Sequence, residues 1–264
     1  MRMSTGGSGV SDDRLDDSLA YDDEGTGTPV VFLHGLTFDR RTWRPIIERL
    51  DGCVRSIAID LPAHGESGGA PVQHDEFAAQ LHRRLGSLEV DRPVVVGHSM
   101  SGGLASFYAA NYPSRGLVSI DNGPDIRQFA QLVQQLEPAL RGPGFTQVWQ
   151  TLENSLGLER IAEPLRTLVL ETHAVKQDVV VGYWQTVLRT DPDEFQALID
   201  AQIRELDVPY LGVFGRPITP SERERFGWIP DAQLEEWAGD GHFVHLVDPD
   251  RFATQLRRFV DHCQ

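Results

Sequence analysis

Short apolar runs alternate with amphipathic stretches along most of this chain, which is typical of a β-sheet covered by helices. The runs with strand character are residues 19–22, 30–33, 55–60, 94–96, 117–120, 210–214 and 233–237. Helical periodicity lies between them at residues 42–50, 75–88, 101–112, 221–226 and 249–260. Several of the strands are apolar without alternation, as expected of strands covered on both faces. The sequence therefore predicts an α/β fold with a mostly parallel central sheet and flanking helices.

Residues 125–206 break this alternation, because they carry helical patterns only. The predicted helices span residues 126–140, 145–156, 158–173, 177–189 and 193–203. We expect a helical cap here, inserted into a core of residues 18–124 and 207–264 that follows a disordered tail at residues 1–17. The apolar candidates to line a pocket under the cap are Phe129, Trp149, Leu152, Val180 and Trp184. Simple packing of the insertion on the core explains most such residues equally well.

The charge of the chain narrows the class of partner. The 264 residues include 24 basic and 39 acidic side chains, for a formal net charge of −15. This acidity argues against nucleic acid, which needs clustered Lys and Arg, and against docking on an anionic membrane. Lys176 is the single lysine and follows no glycine-rich loop, so a nucleotide-binding P-loop is excluded. We expect a small-molecule substrate, no cofactor, and a monomer or a homo-oligomer.

The cysteine content and the N-terminal residues bear on the cellular compartment of the protein. Two cysteines, Cys53 and Cys263, are too few for a disulfide framework and are expected to be free thiols. The first residues show no apolar leader, and no run of about 20 apolar residues follows. The sequence therefore predicts a cytoplasmic protein.

A serine stands at an abrupt change of pattern, in the stretch Val94-Val-Val-Gly-His-Ser-Met-Ser-Gly-Gly103. A nucleophile on a tight strand-to-helix turn adopts a strained backbone, and small neighbours let strand and helix approach each other. Gly97 supplies the first small residue, whereas Ser101 replaces the usual final glycine. We interpret Ser99 as a nucleophile rather than a structural turn residue. His98 beside it is expected to point away and to pack beneath the site.

A serine hydroxyl is a poor nucleophile by itself, so the chain must supply a base. His242 lies in a glycine-flanked loop between the last predicted strand and the last predicted helix. This position puts it at the same sheet edge as Ser99 and makes it the candidate base. Phe243 beside it is a further candidate for the pocket wall. His245 could form a metal pair with His242, but no third ligand follows at a suitable spacing, and no metal site is expected.

Together these motifs resemble those of the α/β-hydrolase superfamily, in its serine esterase and lactonase branch. The matching stretches are Val30-Val-Phe-Leu-His-Gly-Leu36, Asp60-Leu-Pro-Ala-His-Gly-Glu-Ser67, the turn at residues 97–101, and Gly241-His242. The resemblance implies an oxyanion hole made of two backbone N–H groups, those of Leu36 and Met100. Such donors stabilise the alkoxide of a tetrahedral intermediate, and losing one typically costs on the order of 10²–10³ in rate.

The chain departs from the family at the acid of the triad. Where the resemblance implies an aspartate, the sequence has Ile218, whose alkyl side chain cannot orient an imidazolium. Asp121, at the end of the predicted strand 117–120, is the preferred candidate. Some branches of the family, including lactonases that open macrocyclic lactones, resemble this chain in carrying an acid at the end of the corresponding strand. Asp125, Glu222 and Glu224 stay open as alternatives, as does the absence of an acid.

These observations predict a cofactor-free serine hydrolase that cleaves a carboxylic ester or a lactone through an acyl-enzyme at Ser99. The tryptophan-bearing insertion favours a bulky hydrophobic substrate. One alternative keeps the same residues but performs C–C bond hydrolysis or perhydrolysis. Another is a ligand-binding or sensor protein on a hydrolase scaffold, which Ile218 supports. Dehalogenases and epoxide hydrolases are disfavoured, because their chemistry requires a carboxylate at the position of Ser99.

Overall fold

A single seven-stranded sheet organises the protein. The computed structural model describes residues 19–263, so the predicted tail at residues 1–17 lies outside the described residues. The strands are β1 (Tyr21–Glu24), β2 (Pro29–Leu33), β3 (Arg55–Ile59), β4 (Val94–His98), β5 (Gly116–Ile120), β6 (Tyr210–Phe214) and β7 (Gln233–Glu236). They lie in the order β1-β3-β2-β4-β5-β6-β7, and only the β1–β3 pair is antiparallel among them. The predicted fold class is confirmed.

Helices follow most strands, as the alternating pattern predicts. The α-helices of the described residues are α1 (Arg44–Leu50), α2 (His74–Ser87), α3 (Met100–Asn111), α4 (Arg127–Leu140), α5 (Phe145–Glu153), α6 (Leu165–Glu171), α7 (Gln177–Tyr183), α8 (Gln185–Arg189), α9 (Pro192–Arg204), α10 (Pro220–Phe226), α11 (Val244–Val247) and α12 (Pro249–His262). Within residues 19–263, none of these helices is long and apolar enough to cross a membrane.

The pleat of the sheet divides the core into two layers. Val31, Leu33 and Val95 point to the face covered by α2 and α3. Their neighbours Val30 and Phe32 point to the opposite face, which α1 and α12 cover. Because both faces are buried, the central strands are apolar throughout, and this removes the alternation that marks a strand with one face in water.

The segment between β5 and β6 contains helices and no strand within the described residues, as predicted, but two helix predictions were wrong. The predicted helix 158–173 is a short 3-10 helix, Leu158–Arg160, and a separate α6. Pro164 separates them, because a proline restricts its predecessor to non-helical backbone and lacks an N–H donor. The predicted helix 177–189 is two helices, α7 and α8, that meet at Trp184. That ring packs 5.9 Å from Trp149, so tertiary packing outweighs helical periodicity there.

Candidate active site

Ser99 occupies a strained turn between β4 and α3. Its backbone has φ 57° and ψ −128°, a combination that side-chain-bearing residues rarely adopt. Gly97 makes the turn possible, because a Cβ there would lie 2.1 Å from the carbonyl oxygen of Ser101. The Ser99 N–H donates to the carbonyl of Ile120 on the neighbouring strand at 2.9 Å. The geometry therefore holds the half-buried Ser99 in the cavity wall at the carboxyl edge of the sheet, at the cost of local backbone strain.

The serine in place of the motif's last glycine has its own structural role. Ser101 is fully buried, and its hydroxyl donates to the backbone carbonyl of His34. This bond connects the start of α3 to the loop that follows β2, two segments that frame Ser99. The motif by itself indicates only that Ser101 is small enough for the turn. Its hydroxyl partner could not be found from the motif, because the two residues lie 67 positions apart.

His242 and Asp121 form a hydrogen-bonded pair beside Ser99. The distance between His242 Nδ1 and Asp121 Oδ2 is 2.8 Å. The second carboxylate oxygen of Asp121 accepts a 3.4 Å hydrogen bond from the N–H of Gly215. Because an ionised carboxylate is acceptor-only, the pair places the imidazole proton on Nδ1 and leaves Nε2 as an acceptor. Ser99, His242 and Asp121 all line one cavity, and within the described residues no hydrogen bond joins the Ser99 hydroxyl to the ring. Such catalytic contacts commonly tighten when substrate binds.

The alternative acids point elsewhere. The Asp125 carboxylate accepts a 2.7 Å hydrogen bond from the Ser221 hydroxyl. Glu222 is buried and receives both Nη atoms of Arg216, at 2.6 and 2.8 Å. Burial alone would raise the pKa of Glu222. The hydrogen bonds from the Arg216 side chain and from the Thr219 backbone N–H outweigh burial, so the pKa is lowered. Glu224 is exposed.

Ile218 stands where the family pattern implies an acid, and the structure shows what replaces it. Its side chain is buried in the core on the α2–α3 side of the sheet. The loop after β6 is held instead by the Arg216–Glu222 ion pair, a feature the sequence analysis did not identify. Among the described carboxylates, Asp121 is the one hydrogen-bonded to His242.

Leu36 and Met100, whose backbone N–H groups are the predicted oxyanion donors, line the same cavity. Neither N–H has a hydrogen-bond partner among the described residues. Unpaired backbone donors are uncommon inside proteins and create an environment suited to negative charge. Leu36 and Met100 thus lie in the same cavity wall as Ser99, and their role as oxyanion donors stays a prediction.

Two buried histidines fix the loop that carries Leu36. His34 Nε2 accepts a 3.0 Å hydrogen bond from the N–H of Leu61, and His64 Nε2 accepts one at 3.1 Å from the N–H of Thr37. Burial lowers the pKa of His34 to about 4 and that of His64 to about 3, so both rings are neutral and can accept. Both histidines stand in the motifs that carry the family resemblance, but no local pattern indicates this role.

The cavity over Ser99 has a volume of about 510 Å³ and is lined by the sheet edge and by the helices of the insertion. Four of the predicted pocket residues line it: Phe129, Trp149, Leu152 and Trp184. The prediction was wrong for Val180, which is fully buried and outside the lining. It was also wrong for Phe243, because the loop turns that ring into the core, 5.1 Å from the ring of Phe38.

His98 packs beneath the site as expected. Its Nε2 lies 2.9 Å from the backbone carbonyl of His242, and its ring centre is 4.8 Å from the His242 ring. His245 lies 4.6 Å from His98 on the far side, against Trp43. Within the described residues, His245 belongs to no group of three or more side chains able to hold a metal ion. These two rings support the backbone of the His242 loop.

Comparison with known proteins agrees with the fold. A family model described as the alpha/beta hydrolase family matches residues 30–255. The chain belongs to this family. Non-heme chloroperoxidase CPO-A1 of Kitasatospora aureofaciens is 26% identical, covering 92% of this chain and 96% of that protein.

Solved structures of other proteins superpose over most of the chain. A hydrolase from Pseudomonas aeruginosa matches with a TM-score of 0.75 at 19% identity, covering 92% of this chain and 94% of its own. The enol-lactonase of Burkholderia xenovorans matches with a TM-score of 0.71 at 18% identity, covering 92% and 96%. At these identities the structural matches establish the fold alone.

Proposed function

We propose that this alpha/beta hydrolase is a cofactor-free serine hydrolase that cleaves a carboxylic ester or a lactone. Ser99 is the nucleophile, His242 the general base and Asp121 the acid that orients it. The observation that carries the proposal is the 2.8 Å contact between His242 Nδ1 and Asp121 Oδ2, made beside a serine on a strained turn. This contact supplies the group that the sequence lacks at Ile218.

The reaction proceeds in two halves. Ser99 Oγ attacks the carbonyl carbon while His242 Nε2 takes its proton, and the N–H groups of Leu36 and Met100 hold the resulting alkoxide. The carbonyl re-forms as the bond to the leaving oxygen breaks, and the imidazolium gives its proton to that oxygen. Water then attacks the acyl-enzyme through the same base, releasing the acid and restoring Ser99. Asp121 stabilises the imidazolium throughout.

The cavity supports a bulky apolar substrate. Most of its wall is aromatic and aliphatic, with Trp149, Trp184 and Phe129 contributed by the insertion. Burying such surfaces contributes roughly 25 cal/mol per Å² of apolar area removed from water. We therefore propose that residues 125–206 act as a cap that binds the hydrophobic part of the ester or lactone.

A second candidate is perhydrolysis, in which hydrogen peroxide instead of water attacks the acyl-enzyme and releases a peracid. The similarity to a protein named a non-heme chloroperoxidase favours this candidate, and it uses the same three residues. Assays of one ester with and without hydrogen peroxide separate the two. Peracid formation that exceeds carboxylate formation would make perhydrolysis the main reaction.

The direct test is labelling with a fluorophosphonate, which reports an activated serine without knowledge of the substrate. We expect rapid modification, with peptide mapping placing it at Ser99, followed by turnover in a screen of hydrophobic esters and lactones. The Ser99→Ala variant is the control and should not be labelled. A folded wild-type protein that resists the probe would contradict the proposal and favour a ligand-binding role.

A further inference from the structure

The cavity continues along helix α3, away from the reacting atoms. Met100, Gly103 and Ser106 are spaced three residues apart on α3 and all line it. Residues three apart share one face of a helix, and each residue advances about 1.5 Å along the axis. Gly103 therefore lies roughly 6 Å, and Ser106 roughly 10 Å, along the helix from Ser99. This part of the wall would contact substrate groups that lie several bonds away from the scissile carbonyl.

Three polar side chains gather at this distal part of the cavity. His74 Nε2 lies 3.5 Å from the point where a Cβ on Gly103 would stand. Gln202 of α9 donates from Nε2 to the Gly103 carbonyl at 3.5 Å. The Ser106 hydroxyl donates to the carbonyl of Gly102 at 2.8 Å. His74, Ser106 and Gln202 all line the cavity, and we call them the distal polar cluster.

The distal polar cluster has hydrogen-bonding capacity left over. Neither ring nitrogen of His74 has a hydrogen bond among the described residues. Burial lowers the pKa of His74, so the neutral ring offers one donor and one acceptor. Gln202 retains its carbonyl oxygen and one N–H, and Ser106 retains its oxygen lone pairs. Leaving such groups unpaired against an apolar ligand is unfavourable, because they lose water without gaining a partner.

The position of His74 is set by the seam between the core and the insertion. Gln73, just before it, donates from Nε2 to the Gly182 carbonyl at 3.2 Å. The Thr186 hydroxyl donates to Gln73 Oε1. These two hydrogen bonds with the insertion fix the start of α2, whose first residue is His74.

We propose that the distal polar cluster is a subsite for a hydroxyl group carried by the substrate, remote from the bond that is cleaved. The inference rests on the proposed ester or lactone hydrolysis and specifies its substrate class: an apolar skeleton with an uncharged hydroxyl. A hydroxyl both donates and accepts, so it can donate to the oxygen of Ser106 or of Gln202 while it accepts from the His74 N–H. A ketone oxygen would satisfy donors only.

A substrate carboxylate is disfavoured at this subsite. Its members carry no positive charge, and the arginine that lines the cavity, Arg216, is already paired by both Nη atoms with Glu222. An anion there would be desolvated without a partner, which is unfavourable.

The test compares matched esters that differ only at the distal end. One pair is the 4-nitrophenyl esters of octanoic and ω-hydroxyoctanoic acid, and a second pair carries the hydroxyl on the alcohol side. The measured quantity is the ratio of kcat/KM for the hydroxylated ester to that for its methyl-ended partner. We expect His74→Phe to lower this ratio about tenfold in at least one pair, because one hydrogen bond is lost and others are left unpaired.

A second variant covers the case in which His74→Phe does not fold. In Gly103→Ala the new methyl group makes only van der Waals contact with His74 Nε2, and alanine favours a helix, so the protein should fold. The methyl should screen the ring from the ligand and lower the same ratio. The control is His82→Phe, an α2 histidine whose ring contacts Tyr108 and Tyr112 instead. Its ratio should equal that of wild type.

A binding measurement separates failure of the subsite from failure of the proposed chemistry. In Ser99→Ala, quenching of Trp149 and Trp184 fluorescence should show tighter binding of an alkanediol monoether than of its methyl-capped form, and His74→Phe should remove the difference. An unchanged kcat/KM ratio in both His74→Phe and Gly103→Ala, with Ser99 still labelled by the fluorophosphonate, would overturn the subsite alone. No labelling and no ester turnover would overturn the proposed function and this inference with it.

Discussion

Asp121 Oδ2 lies 2.8 Å from His242 Nδ1, although 121 positions separate the two residues in the chain. Asp121 stands at the end of β5 with φ 46°, and His242 stands in the loop after β7, so β6 lies between their strands. The left-handed backbone of Asp121 turns the chain just where its carboxylate meets the imidazole. This contact is the reason to assign the acid to β5.

Replacing the acid by its amide should remove most activity. Asp121→Asn keeps the size of the side chain but can present its NH₂ to the ring, which favours the wrong tautomer and leaves the imidazolium unstabilised. In the serine-protease template the same change lowers turnover roughly 10⁴-fold. We expect a loss of that order in kcat, measured on any ester found in the screen.

Asp125→Asn is the matched control for Asp121→Asn. Asp125 accepts from the Ser221 hydroxyl and does not contact His242 among the described residues. The variant should keep kcat within a few-fold of wild type. A severe loss in Asp125→Asn together with near-normal Asp121→Asn would move the acid to Asp125.

Removing the nucleophile or the base should abolish turnover without unfolding the protein. Ser99→Ala removes only a hydroxyl and leaves the packing around the turn intact, and the His242 side chain is partly exposed in the cavity. We expect loss of steady-state activity in Ser99→Ala and His242→Ala, with thermal midpoints close to wild type. Ordinary activity in either variant would end the proposed mechanism.

The elbow should not tolerate a Cβ at its first glycine. In Gly97→Ala the methyl would lie 2.1 Å from the Ser101 carbonyl oxygen, a backbone atom that cannot yield without moving α3. Overpacking of this kind typically costs about 1–3 kcal/mol, and the shift should displace Ser99. We expect a lower free energy of unfolding and a large loss of fluorophosphonate labelling.

Gly86→Ala provides the comparison. Gly86 lies in α2, and an added Cβ there meets nothing within 4 Å. Alanine is favoured over glycine in a helix by up to about 1 kcal/mol, so this variant should be as stable as wild type or more stable. Equal effects of Gly97→Ala and Gly86→Ala would refute the steric argument.

Stability should fall in mild acid because of buried neutral histidines. Burial, with a smaller contribution from His242, lowers the pKa of His245 to about 3. The unfolded chain, with a histidine pKa near 6.5, therefore binds the proton first, and the free energy of unfolding falls as the pH drops below about 6.5. The loss stops growing only below the folded-state pKa. Between neutral pH and about pH 5, one such residue contributes a loss of about 2 kcal/mol.

His245→Phe should make the protein less sensitive to acid. The ring is enclosed by Trp43, His98 and Phe252, and its Nδ1 is buried without a hydrogen bond, so an aromatic hydrocarbon suits the site. We expect a smaller fall in the free energy of urea unfolding between neutral pH and about pH 5. The control is His262→Gln, because His262 is exposed. If the free energy of unfolding depended equally on pH in both variants, burial would not be the cause.

The periodicity of the sequence predicted the strands and most helices, and it failed where packing overrides local preference. Trp184 ends α7 because its ring is buried against Trp149, a contact that lies outside any local window. Val180 and Phe243 were assigned to the pocket because the pattern shows only that a residue is apolar. Which apolar side chains face a cavity depends on how the insertion and the last loop settle on the sheet.

The sequence by itself determined the elements that are encoded locally: the apolar strands, the elbow around Ser99 with its required Gly97, and the glycine-flanked loop of His242. Steric limits on the backbone act over a few residues, so these can be recognised in a short stretch. Only the tertiary structure shows which of Asp121, Asp125 and Glu222 reaches His242, because each stands in a plausible loop. That contact follows from the strand order of the sheet, which brings together residues that no local pattern connects.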